Sequence, residues 1–301
     1  QRQALKKENV CSVNFEVLDR KQVLHTMNNI TFPVIVKPRI GAGSKWTMKV
    51  QNLNELVRAL EEIPPEYEII IEDFLEGAKL HQNRFYGDYV SVESVHSFGK
   101  STTICITAKL PLTSYFAETG MFLPHPFDKK LEEDILELER KAIKALGVKN
   151  GITHTEIKLT DNGPEIIEIN GRLGGYVPEI IKRSKQVNLV QIALKICLGR
   201  QIEINSNETD RVIFQIFLPA PIHEIGQLAQ IRGVDKIEEI KDISCVQVTK
   251  KIGDVIDYKK GTQSNLGIVY GETKNYEEFK KVISSINNSI EVILYHEGRE
   301  E

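Results

Sequence analysis

Hydrophobic and polar positions follow two different periods along this chain. Phe32-Pro33-Val34-Ile35-Val36-Lys37-Pro38, residues 47–50 and residues 68–74 are short apolar runs rich in β-branched side chains, the signature of buried strands. Residues 54–62 carry helical spacing and stop at Pro64-Pro65. Residues 89–95 and 102–108 alternate as paired antiparallel strands do. Asp128 stands where it can cap a helix running to Leu146, with Gly147 as its left-handed stop. Residues 152–170 read as a hairpin, and Pro178 opens a long helix that Gly199 closes. Residues 1–9 read as a helix already under way. From about residue 205 the pattern changes to short strands, one late helix (276–286) and a final strand (290–294). The expected architecture is α+β in three units: residues 1–77, 78–204 and 205–301.

Composition narrows this. A chain of 301 residues exceeds one ordinary domain and suits two domains or one large α/β body. With 41% hydrophobic residues, 27% charged residues and a net charge of -3, it has the balance of a soluble globular protein, with no case for nucleic acid or a membrane surface. No apolar run approaches the roughly 20 residues that span a bilayer. Cys11, Cys105, Cys197 and Cys245 are far apart and form no CxxC pair, which favours cytosolic thiols over disulfides; Cys197 reads as core. The chain starts at Gln1 without Met or a targeting segment, so further residues are expected ahead of it.

Two segments carry candidate chemistry. Gly41-Ala42-Gly43-Ser44 follows a strand and precedes another, so it can act as a flap whose backbone N–H groups approach phosphate. It is not a Walker A loop, because no GK[ST] and no helix follow. Lys37 just before it could neutralise phosphate charge, although glycine hairpins are more often structural turns. The second segment is the hairpin. A three-residue loop, Asp161-Asn162-Gly163, would pair Thr160 with Pro164, Glu156 with Glu168 and His154 with Asn170. Two carboxylates then face each other with Cβ atoms about 5 Å apart, which is favourable only with a cation between them. Glu156, Glu168 and Asn170 offer hard oxygen ligands suited to Mg²⁺. In this register Glu168 and Asn170 share a face with Ile166, and an exposed charged hairpin is the competing reading. A two-residue turn would shift the register by one. Arg172 and Gly174-Gly175 follow closely, where an Arg can hold phosphate or carboxylate in bidentate fashion. His154 two residues before Glu156 raises an H-x-E metal pattern, but zinc would need further His or Cys ligands; a pocket wall or a support to the ligands is the alternative.

In this order, PVIVKP-x-x-GAGS, then Ile71-Glu72-Asp73-Phe74-Leu75-Glu76-Gly77, then Glu156, then Glu168-Ile169-Asn170-Gly171-Arg172, the chain resembles the ATP-grasp superfamily over roughly residues 1–200. Gly87 to Glu93, Glu118-Thr119-Gly120 with Pro124, and Gly151 to Glu156 look most like its L-amino acid ligase branch. The resemblance implies an ATP-grasp fold, two α/β subdomains gripping ATP, followed by a C-terminal α/β subdomain. It implies an ADP-forming carboxylate–amine ligase that works through an acyl-phosphate with ATP and Mg²⁺ or Mn²⁺, joining amino acids into a dipeptide or related amide. Lys37, Gly41, Gly43 and Ser44 would then contact the triphosphate, and Glu72, Asp73 and Leu75 the adenine. Glu156, Glu168 and Asn170 would hold the metal, and Arg172 and Lys37 would act in catalysis. Glu118, Gly175 and Tyr176 would meet substrate, with Glu118 on an amino group. The expected acidic residue after the hinge is displaced, leaving Asp88 or Glu76 for the ribose. The family's further ATP-binding lysine and N-terminal domain precede the point where this sequence starts. Small-molecule partners, no nucleic acid or membrane, a cytoplasmic setting and a homodimer as one admissible assembly complete the expectation. The rivals are a carrier-protein thiol ligase or a biotin-carboxylase-like enzyme, a nucleotide-binding regulatory module, and a structural subunit that assembles through residues 206–301.

Overall fold

The computed structural model describes residues 1–10, 13–26, 29–82 and 84–295, so Cys11 and Asn83 lie outside it. The first third comprises α1 (Arg2–Lys7), β1 (Phe15–Leu18), α2 (Arg20–Thr26), β2 (Val34–Pro38), β3 (Met48–Val50), α3 (Leu53–Glu62), β4 (Ile69–Asp73) and α4 (Lys79–Gln82). The middle holds β5 (Tyr89–Ser97), β6 (Lys100–Lys109), β7 (Gly120–Leu123), α5 (Lys129–Leu146), β8 (Gly151–Thr160), β9 (Gly163–Asn170), α6 (Val177–Lys185) and α7 (Leu189–Cys197). The remainder is β10 (Val212–Leu218), β11 (Ile225–Arg232), α8 (Val234–Glu238), β12 (Ile243–Val248), β13 (Val255–Asp257), a 3-10 segment Tyr258–Ser264, β14 (Gly267–Thr273), α9 (Tyr276–Ser289) and β15 (Glu291–Tyr295).

Three sheets result. A four-stranded sheet, β1-β4-β2-β3, has its own core under α3, built from Val34, Val36, Leu56, Leu60 and Ile71. An eight-stranded antiparallel sheet runs β12-β14-β10-β7-β6-β5-β8-β9, and β13-β11-β15 form a smaller third sheet. Strands from both sides of residue 205 thus share one sheet. Helix α3 starts where expected because the Asn52 side chain accepts the Glu55 N–H. Helix α5 is capped by Asp128 on Leu131 N and ended by Gly147 at φ +65°.

Three expectations are corrected. The helix expected from Pro178 to Gly199 is two helices: Gln186 turns left-handed at φ +58°, and Asn188 caps a fresh start on Gln191 N. Cys197 is exposed, because α7 buries Leu189 and Ile192 and its last residue faces outward. A second helix, α8, precedes the late one, its entry turned by Gly233 at φ +82°. None of the described helices is long and apolar enough to cross a membrane.

Candidate active site

The middle of the eight-stranded sheet has one apolar and one polar face. Val90, Val92, Ile106, Ile157 and Ile166 pack with Leu5, Ile135 and Ile143 in a single core. Alternation sends the intervening side chains to the other face. There, Thr107, Ser91, Glu156 and Glu168 are successive cross-strand partners, and Cys105, Glu93, His154 and Asn170 form the next row. Every β5 residue but the last is buried, so this polar face is an interior one. Tyr89 Oη, Ser91 Oγ and Glu93 Oε2 are buried there without a hydrogen-bond partner.

The carboxylates face each other as expected, but by another route. The turn has two residues, since Thr160 pairs with Gly163 and Leu159 with Pro164. That register alone would oppose Glu156 to Ile167. A bulge between the pairs Ile157–Ile166 and Glu156–Glu168 takes up one extra residue and restores the carboxylate pair. The bulge also reverses the facing of β9. Ile166 is fully buried in the apolar core opposite Ile157, while Glu168 and Asn170 sit on the polar face. The expected sharing of one face by Ile166, Glu168 and Asn170 is therefore corrected.

The electrostatics of this face are strongly coupled. His154 Nδ1 meets Glu93 Oε1 at 2.7 Å and its Nε2 meets Glu156 Oε1 at 3.2 Å. Burial would push the imidazole down, but the two carboxylates outweigh it and hold it at about 10. Burial would likewise push Glu156 up, and His154, Lys109 and Arg172 bring it down to about 2. Lys109, a buried strand-end residue, donates to Glu118 Oε1 at 2.7 Å. Against the downward push of burial, Glu118, Glu156 and Glu93 hold its ammonium above the ordinary range. One Glu118 oxygen is therefore already engaged.

Among the described residues no three His, Cys, Asp or Glu are grouped to hold a metal ion. A divalent site here needs the amide of Asn170. Asn170 Nδ2 donates to Glu168 Oε1 at 2.6 Å, a bond that does not use its amide oxygen. A set of two carboxylates and one amide oxygen, beside orphaned buried hydroxyls, fits a hard cation.

On the other sheet, Glu72 is buried and takes Lys37 Nζ at 2.5 Å on one oxygen and Arg2 Nε at 3.1 Å on the other. Burial raises its carboxyl, and Lys37 and Arg2 more than offset this, so it lies below the usual range. Both Glu72 oxygens are therefore engaged by cations of this chain. Asp73 is held by Asn14, whose N–H donates to its Oδ2 at 3.0 Å. Asp88 lies directly over Gly77, where a Cβ would come within 1.7 Å of its Oδ2, and it accepts Lys158 at 2.7 Å. Glu76 is exposed, with Lys49 at 3.8 Å.

The glycine flap is docked on the 3-10 segment. Thr262 N donates to Gly43 O at 3.2 Å and Gln263 Nε2 to Ala42 O at 3.1 Å. Thr262 Oγ1 in turn accepts the Glu118 N–H at 3.0 Å. The segment therefore joins flap and substrate candidates. Gly41 leaves open space around it, and Ser44 is left-handed at φ +59°. Arg172 is exposed, with Nη1 on Leu173 O at 2.9 Å. Gly174 lies on the His154 ring, where a Cβ would meet Nδ1 at 2.5 Å, and Gly175 is exposed. Tyr176 packs edge-on to Phe217 at 5.6 Å and helps line a cavity of about 220 Å³ with Lys250, Gln263 and Asn265. Sequence reasoning missed Arg2 and Glu93. The available signal for Glu93 was its alternation with valines in a strand flanked by other strands.

Comparison with known proteins bears on family and fold. A family model for the ATP-grasp domain matches residues 30–179. Alanine–anticapsin ligase of Bacillus subtilis (strain 168) is 28% identical over 266 residues, 80% of this chain and 56% of that protein. An L-arginine-specific L-amino acid ligase of Bacillus subtilis is 24% identical over 269 residues, covering 86% of this chain and 62% of that one. The chain spans about half the length of the first curated relatives it matches. The crystal structure of an L-amino acid ligase from Bacillus licheniformis superposes with a TM-score of 0.78 at 20% identity, over 98% of this chain and 71% of that one, and so shares the fold.

Proposed function

This chain belongs to the ATP-grasp family, and from that premise we propose that it forms the catalytic body of an ADP-forming carboxylate–amine ligase that joins amino acids. The observation that carries this reading is the cross-strand pair Glu156–Glu168, kept opposite by the β9 bulge and completed by Asn170. ATP supplies the phosphoryl group. Its γ-phosphorus–oxygen bond to ADP breaks as a bond to a substrate carboxylate oxygen forms. The amine then attacks the acyl carbon, the bond to phosphate breaks, and one proton is released with phosphate.

Lys37 and Arg2 both bond the carboxylate of Glu72, and Lys37 would meet the triphosphate. The flap amides of Gly41 to Ser44 would enclose the phosphates, and Arg172 would balance charge on the transferred group. Glu156, Glu168 and Asn170 would hold magnesium, which draws charge from phosphate oxygens when bound. Asp88, against Gly77, is the proposed ribose contact. Glu118 keeps one oxygen for a substrate amino group, and Gly175 and Tyr176 border the acceptor.

The test is ADP and phosphate release from ATP with pairs of amino acids, in the wild type and in Glu168→Ala. Turnover only with particular pairs, lost in the variant, supports the reading. Formation of AMP and pyrophosphate, or full turnover in Glu168→Ala, overturns it.

A further inference from the structure

Strand β9 is the last strand of the large sheet, so among the described residues one side of its backbone faces no strand partner. The first two residues of the chain cover that edge. Gln1 Oε1 accepts the Ile169 N–H at 2.7 Å. Arg2 donates from Nη1 to Ile166 O at 2.7 Å and from Nη2 to Ile167 O at 2.9 Å. These two carbonyls flank the bulge that turns Glu168 toward Glu156. The same guanidinium puts Nε on Glu72, whose other oxygen holds Lys37. Arg2 is 7% exposed, and Leu5, one turn on, is fully buried in the core shared by Ile166 and Ile169.

We propose that Arg2 is a positioning residue that clamps the β9 bulge to the Lys37–Glu72 pair, so that nucleotide and divalent-metal binding become coupled. A bulge has a regular alternative, the same strand slipped by one residue, which would move Glu168 off the polar face. Two bonds from one planar guanidinium to successive carbonyls select the bulged form. The third bond ties that choice to the state of Glu72. When phosphate draws on Lys37, Glu72 leans more on Arg2, which tightens the clamp on the metal hairpin. By linkage, metal on the hairpin strengthens nucleotide binding by the same factor. A lysine could keep the charge on Glu72 but lacks the planar fork that bonds both carbonyls and Glu72 at once.

The inference rests on the proposed metal site, so two readouts keep the questions apart. In the full chain, Mn²⁺ affinity is read from the free-ion EPR signal with and without a non-hydrolysable ATP analogue, for wild type, Arg2→Lys and Glu168→Ala. Hydrogen exchange is read on a peptide covering residues 163–170 and on α5. Arg2→Lys is expected to weaken Mn²⁺ about tenfold in the presence of nucleotide, as loss of support to ligating carboxylates does. It should also reduce the coupling and speed exchange in 163–170 but not in α5. Equal Mn²⁺ affinity and unchanged exchange in Arg2→Lys overturn the clamp, as does a uniform rise in exchange across both segments. If wild type binds no Mn²⁺, or Glu168→Ala binds it equally, the metal reading falls and the exchange arm alone decides on the clamp. Should Arg2→Lys fail to fold, Arg2→Gln with added millimolar guanidinium takes its place: restored protection of 163–170 supports the proposal and its absence overturns it.

Discussion

Lys109 and Glu118 form a charge pair at 2.7 Å, with the ammonium almost completely buried and the carboxylate 23% exposed. The same ammonium serves Glu156 and Glu93, so it neutralises an interior that would otherwise hold several carboxylates. Removing one partner of a buried pair costs about 3–5 kcal/mol, and the exposure of Glu118 puts this case at or below the low end. Lys109→Met is expected to lower Tm by several degrees, and adding Glu118→Gln should recover part of the loss. Thermal unfolding of the two variants measures this; an unchanged Tm in the single variant would contradict it.

The docked flap gives a second expectation. Gly261 sits at φ +58°, and a Cβ there would come within 2.5 Å of Gly43 O. Gly261→Ala should therefore push the flap off the 3-10 segment and weaken binding of an ATP analogue several-fold, with secondary structure retained. Calorimetric titration beside circular dichroism checks it, and wild-type affinity would show that the contact is irrelevant to closure.

Asp88 and Glu76 make a paired comparison. Loss of a charge-assisted hydrogen bond is worth roughly 1.5–3 kcal/mol, so Asp88→Asn is expected to raise KM for ATP roughly tenfold or more. Glu76→Gln, on the surface beside Lys49, should leave it unchanged. The reverse outcome would move the ribose contact to Glu76.

Glu139 on α5 is buried, and one of its oxygens has no partner. Burial raises its carboxyl above the ordinary value, against a small opposing bond from Ser94. A raised carboxyl favours the folded state at low pH and loses that benefit as pH climbs through the folded value. Glu139→Gln should therefore stabilise the protein at pH 7–8, and the gain should shrink toward pH 4.5. Melting curves across that range decide; a gain independent of pH would mean that packing, not ionisation, is responsible.

Strands, caps and hairpin were legible in the chain because their causes are local. Apolar period and Asp128 with Gly147 act within a few residues of where they sit. The Glu156–Glu168 pairing was also legible, though by a turn that the protein does not use. A bulge cannot be read from a strand's own residues; here the carbonyls beside it bond an arginine 164 and 165 positions away. Likewise Glu93 looked like an ordinary strand residue. Only the arrangement of eight strands makes β5 interior on both faces, and burial then forces each charge to find a partner. The sequence by itself determined the elements and the chemical identity of the oxygen donors. Tertiary structure decided which of them meet, because bonds between distant segments select among registers that are locally equivalent.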